Sequence, residues 1–283
     1  MHLGHGRTVV STGRLSLVSV PIGNADDITL RALRVLREAD AVACEDTRTT
    51  AALLAHHGQT ARCFSFHDHN EADRLDEVLD RLGKGQHIAL VSEAGTPLVN
   101  DPGFRLVRAA VAAGIPIEVV PGASAPIAAL TGSGLPVDRF WYGGFFPRDT
   151  GPRTALLDEL RGLRATLVFF ESPLRLSSTL AWLTEHWNDR PVCVARNVTR
   201  THEQWLRGSA SEVHTALGDE SRGEVVLLLG PPPERPLVQD ADALARCFLD
   251  QGMDARAARD ALAEATGLPR REAYRKILDL LGK

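Results

Sequence analysis

Glu93, Ala94, Gly95, Thr96 and Pro97 set an acid, two minimal side chains, a hydroxyl and a ring immediately behind the short apolar run Ile88–Val91. Such a run reads as a strand buried on both faces of a parallel sheet. Open α/β sheets bind small ligands beyond the carboxyl ends of their strands, and minimal side chains let a ligand approach the backbone. The chemistry to look for here is therefore the grip of main-chain atoms on a small cofactor, although an ordinary strand, turn and helix start uses the same letters. Other strand-end loops carry polar groups. Leu15–Val20 runs into Pro21, Gly23 and Asn24; Ala41–Cys44 ends in Glu45, Asp46, Thr47 and Arg48; Cys63–Phe66 ends in His67, Asp68, His69 and Asn70. A turn needs only Gly, Asn or Ser, so Glu45–Arg48 reads equally as a surface ion pair or a substrate contact. His67 and His69 invite a metal, yet no further Cys or His lies near them at ligand spacing, and no metal is expected.

The elements that position these loops alternate strand, loop and helix, which implies a parallel sheet with right-handed crossovers. Asp27 or Thr29 can cap a helix through Leu30, Leu33, Val35 and Leu36, and Asn70 one through Leu75, Val78 and Leu82. Asp101 and Pro102 stand ahead of the stripe Phe104, Leu106, Val107 as a helix start, and a strand ending at Val120 delivers the chain to Pro121 and Gly122. After Leu130 the character changes. Arg139, Arg148 and Arg153 flank Trp141 and Tyr142, a mixture that suits stacking on bases or strand residues packed on a core. A strand Ala165–Phe170 leads to Glu171, Ser172, Pro173 and Arg175, and hairpin-like strands over 191–208 with another before Gly230 suggest a mixed sheet. The expected division is a flexible extension over 1–13, α/β domains over 14–123 and 124–230, a proline linker over 231–236 and three amphipathic helices over 237–283. The last helix presents Arg270, Arg271, Arg275 and Lys276, as a solvated face or a nucleic-acid handle.

At 283 residues, 44% hydrophobic and 24% charged, the composition is that of a soluble globular protein. Without a membrane-length apolar run or the apolar core of a signal peptide, a cytoplasmic location is expected. Cys44, Cys63, Cys193 and Cys247 form no CxxC pair and read as reduced thiols. A net charge of −4 gives no global attraction to nucleic acid, so affinity for RNA must come from local patches.

Taken together, PIGN, EDTR, HDHN, VSEAGTPLVNDPG, PGAS, GLPVDRF with GGFFP, FFESPLR, and THEQ followed by GEVVLLL resemble the tetrapyrrole methylase superfamily of S-adenosylmethionine enzymes. Within it they are similar to the bacterial branch that methylates the ribose 2′-oxygen of a cytidine in small-subunit ribosomal RNA. The resemblance implies two α/β domains with the cofactor cleft between them, a homodimer, and ribosomal RNA or the small ribosomal subunit as partner. Carried over by position, Pro21 and Gly23, then Glu93, Ala94, Gly95, Thr96 and Pro97, then Pro121 and Gly122 hold the cofactor. The family usually has Asp where this chain has Glu93, and Glu where it has Asn197. Glu45, Asp46, Arg48 and Glu171 are the catalytic candidates; His67, Asp68, Arg148, Ser172, Arg175 and the four tail cations are the substrate-binding ones. Tetrapyrrole methylation and an idle RNA-binding assembly factor stay open beside this reading.

Overall fold

The computed structural model describes residues 13–218, 222–233 and 241–282. Strands β1 (Arg14–Val18), β2 (Ala41–Cys44), β3 (Cys63–Ser65), β4 (His87–Leu90) and β5 (Ile117–Val120) make a parallel sheet in the order β3-β2-β4-β1-β5. β2 and β4 are buried throughout. Val42, Cys44 and Ala89 enter one apolar layer, Ala41, Ala43, Ile88 and Leu90 the other, as alternation in a sheet covered on both faces requires. The crossovers are α1 (Leu30–Glu38), α2 (Thr47–His56), α3 (Glu71–Gly83) and α4 (Phe104–Ala112). Thr29, not Asp27, caps α1 by accepting from the Ala32 N–H at 3.0 Å. Of the expected extension, residues 1–12 lie outside the described residues, and Gly13 is anchored, its N–H donating to the Leu82 carbonyl at 3.0 Å.

The start of α4 departs from expectation in a way that matters for the site. Gly103, at φ +122°, precedes the helix without any side-chain cap, and a Cβ there would sit 2.6 Å from Leu90 Cδ2. The first-turn helix amides of Arg105 and Leu106 donate instead to Glu71 Oε1 of α3, at 3.1 and 3.3 Å. Asp101 is thereby left free of capping duty.

The second sheet contains β6 (Phe140–Phe145), β7 (Thr166–Glu171), β8 (Val192–Arg196), β9 (Gln204–Gly208) and β10 (Val225–Leu229) in the order β6-β7-β10-β8-β9. β6 runs parallel to β7 and the other pairs are antiparallel, which is the mixed sheet expected. Its helices are α5 (Ala125–Gly132), α6 (Thr150–Leu160), α7 (Pro173–His186) and α8 (Ala210–Ala216). Trp141 packs edge-on to Phe169, and the buried Arg153 lies over Phe146 and Trp182, so these two serve the core, while Arg139 and Arg148 are exposed.

Arg190, 1% exposed, donates to the carbonyls of Leu160, Arg161, Leu163, Ala165 and Gly230. Burial lowers its pKa to about 10, which still leaves it a cation at neutral pH. Arg190→Met keeps the length but strips those acceptors of their donor, and each unsatisfied buried acceptor costs about 1–3 kcal/mol. A loss of at least about 3 kcal/mol in a urea unfolding titration is expected.

The chain divides into two compact units between Pro232 and Pro233. The second comprises α9 (Ala241–Asp250), α10 (Ala255–Thr266) and α11 (Arg270–Leu280), closed around Ala245, Ala258, Leu262, Ala273 and Ile277. Of the expected proline linker, residues 234–236 lie outside the described residues. No helix among the described residues is long and apolar enough to cross a membrane.

Candidate active site

Within the first unit, the loops after β1 and β4 face the ends of β7, β8 and β10 across a cavity of about 340 Å³, a size usual for small-ligand sites. Ile22, Ala94, Asn100, Asp101 and Ala125 form part of the wall; Phe145, Phe170, Glu171, Ser172, Val198 and Val226 form much of the remainder. The loops hold one another by main-chain bonds. Val20 N–H donates to the Gly95 carbonyl at 2.9 Å and Gly95 N–H returns to the Val20 carbonyl at 3.1 Å. Thr96 Oγ1 accepts from Ser19 Oγ at 3.1 Å and donates to the Ala123 carbonyl at 3.0 Å, so it ties three loops together.

Of the nine residues expected to hold a cofactor, only Ala94 is in the wall itself. Gly95 and Thr96 support the wall, and Pro97 is buried behind it. Gly23 is small for another reason than ligand access. A Cβ there would lie 2.5 Å from Arg200 Cγ, 2.8 Å from Thr199 Oγ1 and 3.0 Å from the Val198 carbonyl, so the first loop needs glycine to seat against the β8–β9 turn. At Gly122 a Cβ would meet Ser19 Cβ at 2.9 Å. Glu93, Pro121 and Gly122 are exposed and Pro21 is half-buried.

Four carboxylates gather at the strand ends. Burial raises the Glu45 pKa, and the nearby Glu93 and Asp68 raise it further while His67 works against them. Asp101, in the same loop as Glu93 but absent from the expected set, is pushed up to about 6, first by burial and then by Glu45, Asp68 and Glu93, with hydrogen bonding from Ser92 opposing. A carboxyl poised near neutrality in a cavity wall is what proton transfer uses. Tyr142, which donates to Asn100 Oδ1 beside it, is raised to about 12 by burial and by Asp101.

The other catalytic candidates have structural engagements. Asp46 caps α2, accepting from the Arg48 N–H at 2.8 Å, and the Arg48 guanidinium grips it as well. That pairing lowers its pKa to about 2, which suits a permanent anion and not a base. Arg48 itself remains 89% exposed. Glu171 is fully buried in the cavity wall, where it accepts from Thr179 Oγ1 at 2.7 Å and pairs with Arg175. Arg175 Nε and Nη1 are buried behind that pair and have no hydrogen-bond partner among the described residues. Ser172 lines the cavity at the start of α7 and makes no cap bond. His67 and His69 face each other edge-on with Asp68 exposed, and Arg148 is exposed.

Asn197 stands at φ +52°, a conformation Asn tolerates. Its Oδ1 accepts from the Glu224 N–H at 3.1 Å and its Nδ2 donates to the His202 carbonyl at 3.4 Å, so it organises the β8–β9 turn. In the tail, Arg270 lies 3.5 Å from Asp260 and Lys276 2.7 Å from Asp242. Arg271 and Arg275 are exposed and have no ion pair among the described residues.

Residues 14–214 match the family model of Tetrapyrrole (Corrin/Porphyrin) Methylases. The chain is 45% identical over 271 residues to a ribosomal RNA small subunit methyltransferase I of Micromonospora olivasterospora, covering 94% of this chain and 87% of that protein. The protein of the same name from Escherichia coli O157:H7 is 41% identical over 277 residues, covering 96% and 97%. Among solved structures, diphthine synthase superposes with a TM-score of 0.62 at 17% identity, covering 77% of this chain and 90% of that one. Uroporphyrin-III C-methyltransferase from Thermus thermophilus complexed with S-adenyl homocysteine gives 0.54 at 23% identity, covering 77% and 97%.

Proposed function

The chain belongs to the tetrapyrrole methylase family, and from that premise we propose that it transfers a methyl group from S-adenosylmethionine to small-subunit ribosomal RNA, at the ribose 2′-oxygen of a cytidine. The observation that carries the substrate is a likeness above 40% over more than nine-tenths of the chain to proteins named for that RNA. The cavity fits the cofactor. Phe170, Val226 and Ile22 offer apolar surface, and the carboxylates around Asp101 favour a cation over the neutral product left after transfer.

When bound, S-adenosylmethionine supplies a methyl already activated on a sulfonium. The protein's task is to align a hydroxyl with it and exclude water, and positioning of this sort is worth about 7–11 kcal/mol. A ribose hydroxyl is a weak nucleophile, so a base that receives its proton as attack proceeds adds about 10²–10⁴ in rate. Asp101 is that base in our reading, ionised above about pH 6. Arg48, on the exposed side, holds RNA phosphate, while Arg175 fixes Glu171 in the cavity wall; the location is the cytoplasm, and the dimer implied by the family resemblance is checked by sedimentation.

The test is transfer of labelled methyl to undermethylated small subunits, to naked ribosomal RNA and to a tetrapyrrole. Label in RNA that blocks alkaline cleavage at one cytidine is expected, because methylation removes the hydroxyl that attacks the adjacent phosphodiester. Label in a base or in the tetrapyrrole overturns the assignment. Arg271→Ala/Arg275→Ala is expected to flatten the slope of log affinity against log salt by about 1.4, since each phosphate contact to single-stranded RNA contributes roughly 0.7. An unchanged slope removes the tail from the RNA contact.

A further inference from the structure

We propose that Asp26, His56 and His57 form a binding site for a borderline divalent cation of the first transition row, Zn²⁺ or its Co²⁺ and Ni²⁺ analogues. One ligand atom from each lies within 4.8 Å of the others. Consecutive residues of a continuing helix diverge by about 100°. His56 closes α2, however, and His57 leaves it at φ −97°, ψ 16°, so the two imidazoles come together edge-on with centroids 4.8 Å apart.

Asp26 belongs to a 3-10 turn over Ala25–Asp27, held by Asn24 Oδ1 accepting from the Asp26 N–H at 3.1 Å. That leaves its carboxylate free to face the histidines. His56 Nε2 stands 3.3 Å from Asp26 Oδ1, and His57 Nε2 stands 3.0 Å from the Ala25 carbonyl, a further oxygen donor at the same place. An ordinary Asp–His pair requires one imidazole; here there are two, with two oxygens, at the negative end of a helix dipole. Two nitrogens with two oxygens suit the borderline metals, whereas Mg²⁺ and Ca²⁺ take all-oxygen sets. A metal there fastens the turn that follows Ile22, a residue of the cavity wall, to the far end of the helix that begins beside Glu45 and Asp46. The site does not depend on the methyl-transfer reading. It also goes beyond the expectation of no metal, which weighed the four cysteines and the pair His67 and His69.

The experiment titrates the reduced full-length protein with Co²⁺, followed by visible absorption, and with Zn²⁺, followed by calorimetry. Saturable binding of one equivalent per chain is expected, with the weak d–d bands of nitrogen and oxygen ligands and a rise in melting temperature reversed by chelator. Loss of an outer-sphere partner typically weakens a metal site 10–100-fold, so His57→Ala, which removes a ligand, and Asp26→Asn, which removes a ligand's charge, should each weaken it by more than about 10-fold while circular dichroism stays unchanged. Three results each overturn the proposal: no saturable binding to the wild type, binding that survives His56→Ala/His57→Ala, or the intense thiolate charge-transfer bands that would place the metal on a cysteine.

Discussion

Asp101→Asn is expected to slow methyl transfer by about 10²–10⁴, with S-adenosylmethionine affinity changed far less and stability undiminished. The amide is nearly the same size and keeps an oxygen for Ser92, but it cannot receive a proton. Because burial and the neighbouring Glu45, Asp68 and Glu93 raise the Asp101 pKa to about 6, the wild-type rate should climb with pH through that value. In Asp101→Asn this limb should vanish. Stability runs the other way: a carboxyl whose folded pKa is raised contributes most below its unfolded pKa and loses that contribution as pH rises through about 6. The amide never ionises and escapes the loss, so its melting temperature at neutral pH should equal or exceed that of the wild type. Glu45→Gln separates the two acids, since it should lower the Asp101 pKa without removing the base. An Asp101→Asn enzyme with the wild-type rate and acid limb would exclude Asp101 as the base.

The residues whose roles were legible in the sequence are those whose surroundings are local. Ile88–Leu90 and Ala41–Cys44 read as buried strands because uninterrupted apolar letters have no other place in an α/β sheet. The loops behind them were identified by the same logic. Asp101 is illegible because an acid three residues ahead of an apolar stripe looks like a helix cap, and nothing nearby reveals that Glu71 on α3 takes that duty. Gly23 and Gly122 enter the expected cofactor set by resemblance alone, and what requires glycine there is not written near them: their nearest neighbours are Arg200, Thr199 and Ser19, brought in by the fold. Arg153 and Arg190 are buried, against the habit of their type, because the fold brings them acceptors: the Pro147 carbonyl and Thr179 hydroxyl to the first, main-chain carbonyls such as those of Leu160 and Leu163 to the second. The tail shows the same limit. Four cations form a cluster in sequence, but the fold brings Asp242 and Asp260 beside two of them, which the spacing of the letters does not reveal.

Gly95→Val should cost both stability and cofactor affinity, and the two losses have a common origin. Gly95 is buried at φ +78°, where a β-branched residue is a true outlier; strain of this kind costs about 1–3 kcal/mol. The new Cβ would lie 3.2 Å from Ile22 Cγ2, and the γ-methyls beyond it add overpacking of about 1–3 kcal/mol. A total near 2–4 kcal/mol follows if the loop yields part of the way. What yields is the pairing of Val20 with Gly95 and the position of Ile22, which is part of the cavity wall. Gly95→Ala serves as the control. It meets the same backbone strain but brings no γ-methyls, so it should lose most of the stability and much less of the affinity. Unfolding titrations with calorimetry on the folded protein measure both quantities. A folded Gly95→Val protein with wild-type affinity would show that the cofactor does not use the wall built by the first loop, and the cavity beside Asp101 would lose its claim to be the site.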